Sequence, residues 1–561
     1  MADLLSVDSA AWGSRDLAEA VAERPALGKR SLSRSLSASR VPVAAAGATV
    51  VVVGAGPAGL LAAAFLAARH GAAVHVFDMR PHPGPIPMPP GAEDDNDRAF
   101  ALAMNSRGTA AVEAAGLDVP ALLATPGAGL AVIRDQLLGR GDALPRADGG
   151  NARSLLTVHA ERVRVVGSRQ AFVRGLLHLI EQQQRRGRAA GRRGSVRFTF
   201  GAAFESADLA AKSATFIMGS GVRSTIGYDL LVGADGCWSR VRRSAAAQAP
   251  ELSVATTPAN RQYKVVRGLP PLPHLSLLPA PGARPGSSEA YGRLLMVTEA
   301  PAALAAAGGG APGTIFFSQP TPEAVTAVLT WPHKRWAAAG ISAEQGGEEA
   351  TYQRLLTASF PALPAEWVQE MAAQLAARPL HETGMQVHAS QLHAPGVVFL
   401  GDAAHAVSPA TSNGMNSALE DALVLSQTLE ACGGDLAALP AAFTAARLAD
   451  ARALLWLDAA LSTVAGRAAQ PDGLACGRPP SPRANKLAVI TRVILSRLTR
   501  GWVRPHALIL LKDGSLPYAE ARRRVERDAA IADAAASWGA LAAAGAAVAV
   551  VLSAALRALR A

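Results

Sequence analysis

An apolar strand that runs into a glycine-rich turn constrains this chain more than any other feature. Residues 50–53 are consecutive valines, and Gly54, Gly56 and Gly59 follow before an alanine-rich helix. In such a turn the first glycine allows a tight bend and the second lets a pyrophosphate approach the backbone. The third lets the helix pack against the strand. The N–H groups at the start of the helix, around Ala58, favour a phosphate. We therefore predict a Rossmann-like dinucleotide-binding unit.

A second apolar strand, residues 73–77, strengthens that prediction. It ends at Asp78, 24 residues after Gly54, where an acidic side chain can bind a ribose hydroxyl of a dinucleotide. Arg80 follows two residues later. We predict that both side chains lie at the cofactor.

Two later segments have the same form, a short apolar strand that ends in glycine and aspartate. One ends at Asp235 and Gly236, and the other ends at Gly401 and Asp402. Together with the glycine turn, these segments resemble the FAD-dependent aromatic-ring hydroxylases, a family of single-component flavoprotein monooxygenases. Within that family the resemblance is closest to kynurenine 3-monooxygenase-like proteins, and it covers roughly residues 49–461.

Three further stretches carry this resemblance: residues 98–108, residues 168–177, and residues 414–416 with Glu420 and Asp421. The family implies bound FAD, NADPH or NADH as co-substrate, and O2. It also implies hydroxylation of a small aromatic or electron-rich substrate through a flavin C4a-hydroperoxide. Only one glycine turn in the sequence both follows an apolar strand and opens a helix. The nicotinamide must therefore bind without a Rossmann domain of its own.

The resemblance also implies roles for individual residues. Arg169 would contact the flavin nucleotide, Ala103 would line its isoalloxazine ring, and the Pro409 loop would shape the reactive face. Asp402, Met415 and Asn416 would hold the flavin. No side chain is assigned as catalytic, because the flavin carries the chemistry. The predicted cofactor-binding residues are Gly54, Gly56, Ala58, Gly59, Asp78, Arg80, Ala103, Arg169, Asp235, Gly236, Gly401, Asp402, Pro409, Gly414, Met415 and Asn416.

Departures from the family pattern bear on the substrate. In the kynurenine enzymes an arginine and a tyrosine grip the substrate carboxylate, whereas Val132 and Arg146 stand at those positions here, with Arg134 nearby. A further family tyrosine falls near Ser462. The family loop Pro-x-x-Gly-Gln-Gly is here Pro-Ala-Thr-Ser-Asn-Gly, residues 409–414. A carboxylate buried without its bidentate partner is costly. We therefore predict a less charged substrate and poor binding of kynurenine.

Other functions remain open at this point. A prenyl reductase or an epoxidase-like flavoenzyme would also use one glycine turn, and an apolar tail would suit its lipid substrate. A flavin-binding protein without turnover would agree with the altered loop. A flavin-dependent halogenase is disfavoured because its Trp-x-Trp-x-Ile element is absent.

The 561-residue chain is long enough for two or three domains with a large core. We predict an α/β fold in which a Rossmann-like FAD-binding domain of the glutathione-reductase type carries an inserted mixed-sheet substrate domain. A C-terminal helical region follows. The predicted segments are a disordered leader or transit segment (1–47), the FAD-binding domain in two parts (48–255 and 396–465), the substrate domain (256–395), the C-terminal helical region (466–533) and a membrane-anchoring helix (534–561).

Charge and cysteine content limit the partners. The net charge is +11, but no aromatic residues interleave the basic runs, so we predict no nucleic-acid partner. Cys237, Cys432 and Cys476 lack the spacing of metal ligands. We predict no metal site.

The two ends of the chain bear on its location. Residues 29–40 alternate Ser, Leu and Arg in the manner of an organelle transit peptide, although acidic residues precede them. Residues 534–556 carry no charge and as a helix would reach about 34 Å, enough for a hydrocarbon core of about 30 Å. A soluble alanine-rich helix packed on the body is the alternative. We predict an organelle, chloroplast or mitochondrion, or the cytoplasm, with membrane association through the tail.

Overall fold

The computed structural model describes the larger part of the chain between residues 46 and 534. The described residues are 46–86, 101–125, 128–142, 156–191, 194–258, 261–271, 277–279, 291–308, 312–321, 323–341, 347–409, 412–461, 488, 491–492, 506–512, 514 and 516–534. The predicted leader and almost all of the predicted anchoring tail lie outside them.

The first sheet is built around the valine strand. Its members are β1 (Thr49–Val53), β2 (Ala73–Asp78), β6 (Ser195–Phe200), β10 (Leu230–Gly233), β18 (His393–Ala394) and β19 (Val397–Phe399). Their order is β18-β19-β10-β1-β2-β6, and every pairing is parallel except that of β18 with β19. Val50, Val51 and Val52 are completely buried, as expected for an unbroken apolar run in a parallel sheet.

Three long helices belong to this part of the molecule: α1 (Pro57–His70), α4 (Arg169–Ala189) and α11 (Gly414–Ala431). α1 packs between the other two. Its alanines allow this close approach, and it ends where Gly71 takes a left-handed conformation, with φ of 71°. The shorter helices α2 (Ser106–Ala114) and α3 (Val119–Leu123) follow the strand after the first βαβ unit.

The second sheet has eight strands and reaches far along the sequence. They are β3 (Ala101–Met104), β4 (Leu130–Arg140), β5 (Leu156–Ser168), β12 (Arg261–Leu269), β13 (Gly292–Thr298), β14 (Thr314–Thr321), β15 (Ala324–Pro332) and β16 (His381–Glu382). Their order is β16-β12-β15-β14-β13-β4-β5-β3. Three strands therefore come from before residue 256, so this sheet does not coincide with the predicted segment 256–395. Pairing partners so distant in sequence leave no local pattern.

One face of the second sheet is covered by helices. They are α6 (Pro301–Ala306), α7 (His333–Ala338), α8 (Glu349–Ser359) and α9 (Ala365–Ala377). Trp331, Trp336 and Trp367 fill the layer between sheet and helices and are almost completely buried. The opposite face carries a separate apolar cluster of Tyr263, Val265, Phe316 and Val328. The strands alternate between the two faces, as their side-chain period of two requires.

Two small sheets and one helix complete the body. β7 (Ala202–Asp208), β8 (Ser213–Met218) and β9 (Arg223–Gly227) form an antiparallel sheet, β11 (Val254–Pro258) pairs with β17 (Met385–Ala389), and α5 is Arg240–Ala246. Phe216 stacks on Phe77 with ring centroids 4.0 Å apart, which attaches the three-stranded sheet to β2.

The C-terminal part is helical. It contains α12 (Leu439–Leu461), α13 (Ala507–Lys512) and a helical stretch over residues 518–534. Two of the basic residues in that stretch, Arg522 and Arg524, form ion pairs with Glu526 and Glu520 of the same helix. Within the described residues, no helix is long and apolar enough to cross a membrane. Apart from residue 534, the predicted anchoring helix lies outside the described residues.

Candidate cofactor site

The glycine turn has a geometry that other residues could not adopt. Gly54 has φ of 106°, and a Cβ added there would lie 2.3 Å from the carbonyl oxygen of Ala234. A Cβ on Gly59 would lie 2.0 Å from the carbonyl oxygen of Gly54. The first glycine is thus required by the bend and by the neighbouring loop, and the last by the contact between α1 and β1.

The start of α1 offers unused N–H groups. Gly56 is the N-cap, and no side chain caps the helix. The first carbonyl of the helix, that of Gly56, accepts from the N–H of Leu60 at 2.9 Å, so the N–H groups of Ala58 and Gly59 precede the first helical hydrogen bond. Such an N-terminus binds anions through its N–H groups and dipole.

Arg169 stands directly over this turn. Ser168 caps α4 by accepting from the N–H of Ala171 at 3.0 Å, which places Arg169 in the first turn of that helix. A Cβ added to Gly56 would lie 3.3 Å from Nη2 of Arg169. No described residue forms a hydrogen bond with the guanidinium. Its donors therefore remain available to a phosphate.

The electrostatics of Arg169 show which other residues surround it. Burial, followed by the positive charge of Arg80, lowers the pKa of Arg169, whereas the carboxylates of Asp402 and Asp78 oppose that shift. The structure thus brings together side chains that are separated by more than 300 residues of sequence. Arg169 is half-buried. A guanidinium that is partly removed from water and has no bonded partner is unfavourable, and an anionic ligand would offset that cost.

Asp78 is already engaged by the backbone. One carboxylate oxygen accepts from the N–H of Ala55 and the other from the N–H of Arg80, each at 2.8 Å. The acid therefore stabilises the glycine turn, and only its remaining lone pairs can meet a ribose hydroxyl.

Asp402 lies close enough to Arg169 for its charge to affect the pKa of that arginine. We call the space between the glycine turn, Arg169 and Asp402 the cleft. Gly401 before it has φ of 58°, and its N–H donates to Asp421 at 2.7 Å. Burial raises the pKa of Asp402, and the charges of Arg169 and His405 counteract that effect. The side chain is nevertheless accessible to solvent, and no described residue forms a hydrogen bond with it. A carboxylate that is surrounded by protein and open to solvent on one side is typical of the wall of a ligand-binding cleft.

The side chain of Asn416 forms three hydrogen bonds within the protein. Its amide oxygen accepts from the N–H of Asn105 at 2.9 Å, and its amide nitrogen donates to the carbonyls of Ala103 and Ser412 at 2.9 and 3.0 Å. The side chain is completely buried. It therefore joins β3 to the loop before α11. A direct contact of Asn416 with the flavin stays a prediction.

Of the segment from Pro409 to Gly414, the structure describes Pro409 and residues 412–414. Pro409 is exposed, and Ser412 has φ of 53°, one of two non-glycine residues with positive φ in the described structure. Gly414 and Met415 open α11, whose N-cap residue Asn413 makes no side-chain capping bond. A Cβ on Gly414 would lie 4.0 Å from Oδ1 of Asp402. The N-terminus of α11 thus faces the cleft near Asp402 and favours negative charge there.

Asp235 is also engaged within the protein. Its carboxylate accepts from the hydroxyl of Ser239 and from the N–H groups of Arg240 and Val241, at 2.5, 2.7 and 3.1 Å. These contacts hold the start of α5. Gly236 next to it has φ of 83° with open space beside it. The Asp235 carboxylate is thus largely occupied by the start of α5, and the predicted contact of Asp235 and Gly236 with the cofactor stays a prediction.

A buried ionic network behind the cleft involves residues that the sequence analysis missed. His405 and Arg447 contact the two oxygens of Asp421, each at 2.7 Å, and Arg447 also contacts Glu420. Burial would raise the pKa of Asp421, but His405 and Arg447 outweigh it and lower the pKa to about 2. Arg107 pairs with Glu420 at 2.6 Å. His405 is thereby held in a structural role.

A signal for Arg447 was present in the sequence. α12 is rich in alanine and leucine, and a charged residue on the buried side of such a helix requires a partner inside the protein. Asp458 is a second charged residue on the buried side of the same helix. Of the residues considered for substrate recognition, Val132 lies in β4, and Arg134 lies 5.9 Å from the ring centroid of Tyr291. Arg146 and Ser462 lie outside the described residues.

Two family models and several known proteins are similar to this chain. Residues 52–85 match the family model of an NAD(P)-binding Rossmann-like domain, and residues 287–447 match that of an FAD binding domain. A kynurenine 3-monooxygenase of Salinispora arenicola is 28% identical over 493 residues, which cover 85% of this chain and 90% of that protein. The violacein synthase of Chromobacterium violaceum is 27% identical over 390 residues, which cover 69% of this chain and 78% of that protein.

A solved structure supports the fold. The tetrameric form of 2-methyl-3-hydroxypyridine-5-carboxylic acid oxygenase superposes with a TM-score of 0.51 at 17% identity, covering 77% of this chain and 96% of that one. The predicted α/β fold class and the predicted FAD and nicotinamide cofactors are confirmed by these matches. The unpaired donors of Arg169 over the glycine turn fit the phosphates of FAD.

Proposed function

We propose that this chain, which belongs to the FAD-dependent monooxygenases, hydroxylates a small aromatic or otherwise electron-rich molecule with O2 and NAD(P)H. When bound, the reduced flavin supplies the activated oxygen. The main support for the proposal is the position of the second sheet next to the cleft. Asn416 connects its edge strand β3 to the loop and helix beside the cleft. A substrate between flavin and sheet would be enclosed and dry, as oxygen transfer requires.

The strand at the other edge of the same sheet is followed along the chain by a strand that packs beside the loop before Pro409. Tyr263 in β12 pairs with His381 in β16, and β17 follows soon after, with Met385 and Val387 packed against Ala406. The apolar face of Tyr263, Val265, Phe316 and Val328 thus lies on a sheet whose edge strand β16 leads along the chain to β17 beside Ala406. This supports an apolar substrate held against that face.

One amide on the second sheet is suited to a neutral polar group of the substrate. Gln136 is 8% exposed, and its amide nitrogen lies 3.8 Å from the sulfur of Met296, a weak contact. No described residue forms another hydrogen bond with this amide. A buried amide without strong partners gains from a ligand carbonyl or hydroxyl. Val132 cannot pair with a carboxylate, so the proposed substrate is an uncharged aromatic with one such group.

Turnover measurements test the proposal. Purified protein reconstituted with FAD is given NADPH and a panel of neutral aromatics, aromatic acids including kynurenine, and isoprenoids, while oxygen uptake and products are recorded. We expect uptake stimulated by a neutral aromatic and a product heavier by one oxygen atom, with weak stimulation by kynurenine. Asp402→Ala, tested in parallel, should lose FAD and with it the uptake.

Each alternative function gives a distinct result. A reduced isoprenoid without oxygen uptake would indicate a prenyl reductase, and an epoxide would indicate an epoxidase-like enzyme. Bound FAD without uptake across the panel would indicate a flavin-binding protein without turnover. Micromolar half-saturation by kynurenine with a 3-hydroxy product would contradict the substrate assignment.

A further inference from the structure

A buried carboxyl group on α12 holds the loop that leads to Pro409. Asp458 is completely buried. One of its oxygens accepts from the backbone N–H of Ser408 at 2.9 Å and from the amide of Gln386 at 2.7 Å, and the other accepts from the hydroxyl of Ser408 at 2.8 Å. The carboxyl group thereby links α12, β17 and the residue before Pro409.

The loop is fixed at two points, one on each side of Pro409. Asp458 holds Ser408 before the proline, and Asn416 holds the carbonyl of Ser412 after it. Ala406 is further anchored because its carbonyl accepts from the N–H of Val387 at 3.0 Å. The described residues on both sides of Pro409 are therefore held by buried side chains.

Asp458 differs from the other buried acids near the cleft. Asp421 and Glu420 pair with arginine, whereas within the described residues Asp458 has no ion-pair partner. Burial raises its pKa to about 6, and the hydrogen bonds from Ser408 and Gln386 oppose that shift without reversing it. The charged form is therefore stabilised by neutral donors alone.

No other titratable group accounts for this shift. The titratable residues near this part of α12 lie on several elements. They are His388 on β17, His393 on β18, Asp402 and His405 on α10 (Asp402–His405), Glu420, Asp421 and Glu430 on α11, Arg447, Asp450 and Arg452 earlier on α12, and, in the C-terminal region that packs on Trp456 and Leu457, His506, Tyr518, Glu520, Arg522 and Glu526. None of them is among the causes of the shift of the Asp458 pKa. His405 is engaged with Asp421.

We propose that Asp458 is a positioning residue that, when ionised, holds the Ser408–Pro409 backbone in the conformation required by the flavin, so that FAD affinity falls when Asp458 gains a proton. A protonated carboxyl keeps one acceptor oxygen and turns the other into a donor, so the bond to the Ser408 hydroxyl must reverse. This inference rests on the proposed placement of the Pro409 loop against FAD.

Titration of apoprotein with FAD between pH 5 and pH 8, followed by flavin fluorescence, tests the inference. For the unchanged protein we expect the dissociation constant to rise about tenfold toward pH 5, the effect of one buried hydrogen bond. Asp458→Asn should show the weaker affinity at every pH and no inflection near pH 6. Ser408→Ala keeps the backbone bond and should weaken binding less.

Asp528→Asn serves as the matched control, because Asp528 is a mostly buried acid that pairs with Arg492 in the C-terminal region. It should leave the FAD titration unchanged. An Asp458→Asn protein that binds FAD with unchanged affinity and keeps the inflection would overturn the inference. The readout is FAD binding, so this result is independent of whether the unchanged protein hydroxylates any member of the aromatic panel.

Discussion

Gly56 is the residue at which a small added group would meet both Arg169 and the phosphates of FAD. A Cβ there would already lie 3.3 Å from Nη2 of Arg169, and the branches of valine would extend further into the cleft. We expect Gly56→Val to weaken FAD binding by about tenfold to a hundredfold, the value of one charge-assisted hydrogen bond. Fluorescence titration of the apoprotein measures this change.

Gly227→Ala is the control for that substitution. Gly227 ends β9, and its added Cβ would lie 3.9 Å from the nearest atom, the carbonyl oxygen of Lys212. FAD affinity should be unchanged in this variant. If Gly56→Val and Asp402→Ala both retained stoichiometric FAD with unchanged affinity, the cleft would not be the FAD site.

Ser412 is strained by its own backbone. Its φ of 53° lies in the left-handed region, where a residue with a Cβ costs about 1 kcal/mol or more relative to glycine. Ser412→Gly should therefore raise the free energy of unfolding by about 0.5–1 kcal/mol, since part of the gain is lost to the greater freedom of glycine in the unfolded chain. Urea unfolding followed by circular dichroism measures the difference.

Lys212 provides a matched comparison for Ser412. It has φ of 47° in the turn between β7 and β8, away from the cleft. Lys212→Gly should stabilise the protein similarly, but only Ser412→Gly should also change FAD affinity, because only Ser412 belongs to the loop that Asn416 anchors. A loss of stability in Ser412→Gly would show that the serine side chain, rather than the backbone, determines the conformation.

At the scale of elements, the ionic network joins α11 to α12 behind the cofactor cleft. Because His405 and Arg447 lower the pKa of Asp421 to about 2, ionised Asp421 stabilises the fold above its ordinary pKa near 4. That contribution is lost as the pH falls from about 4 toward 2. Asp421→Asn should cost about 3–5 kcal/mol at pH 7, because it leaves a buried arginine poorly paired. The difference from the unchanged protein should shrink below pH 4.

Asp142→Asn is the control for the network, since Asp142 and Arg140 form an exposed pair. Its effect on urea unfolding should stay below about 1 kcal/mol. Equal stability of Asp421→Asn and Asp142→Asn at pH 7 would mean that the buried network contributes no more than a surface pair.

The elements that could be predicted from sequence are those specified by local rules. The glycine turn, the strand before it and the helix after it follow from backbone geometry within residues 50–70, and the structure contains them as β1 and α1. The pairing of β4 with β13 could not be predicted in this way, because about 160 residues separate the partners. The hydrogen-bond partners of Asn416 and Asp235 within the protein could not be predicted either. A motif identifies the residue type but not the atoms to which the side chain will bond.

At the scale of the whole molecule, the C-terminal region is docked onto the flavin-binding part. Tyr518 is completely buried, and its ring lies 4.1 Å from the guanidinium carbon of Arg107. Arg107 also donates to the carbonyl of Leu516 at 2.5 Å, and the N–H of Ala519 donates to Asp450 at 2.7 Å. The helix over residues 518–534 is therefore attached to the body at its N-terminal end.

A deletion of the C-terminal segment tests the membrane prediction. Residues 534–556 carry no charge, but burial of alanine stabilises far less than burial of leucine, so association should be marginal and strengthened by anionic lipid. Deleting residues 534–561 should move the protein from the pelleted membrane fraction to the supernatant. FAD should stay bound, because the contacts of Tyr518 and Arg107 remain. If the full-length protein stays in the supernatant without detergent and ignores anionic liposomes, the segment is a packing helix and not an anchor.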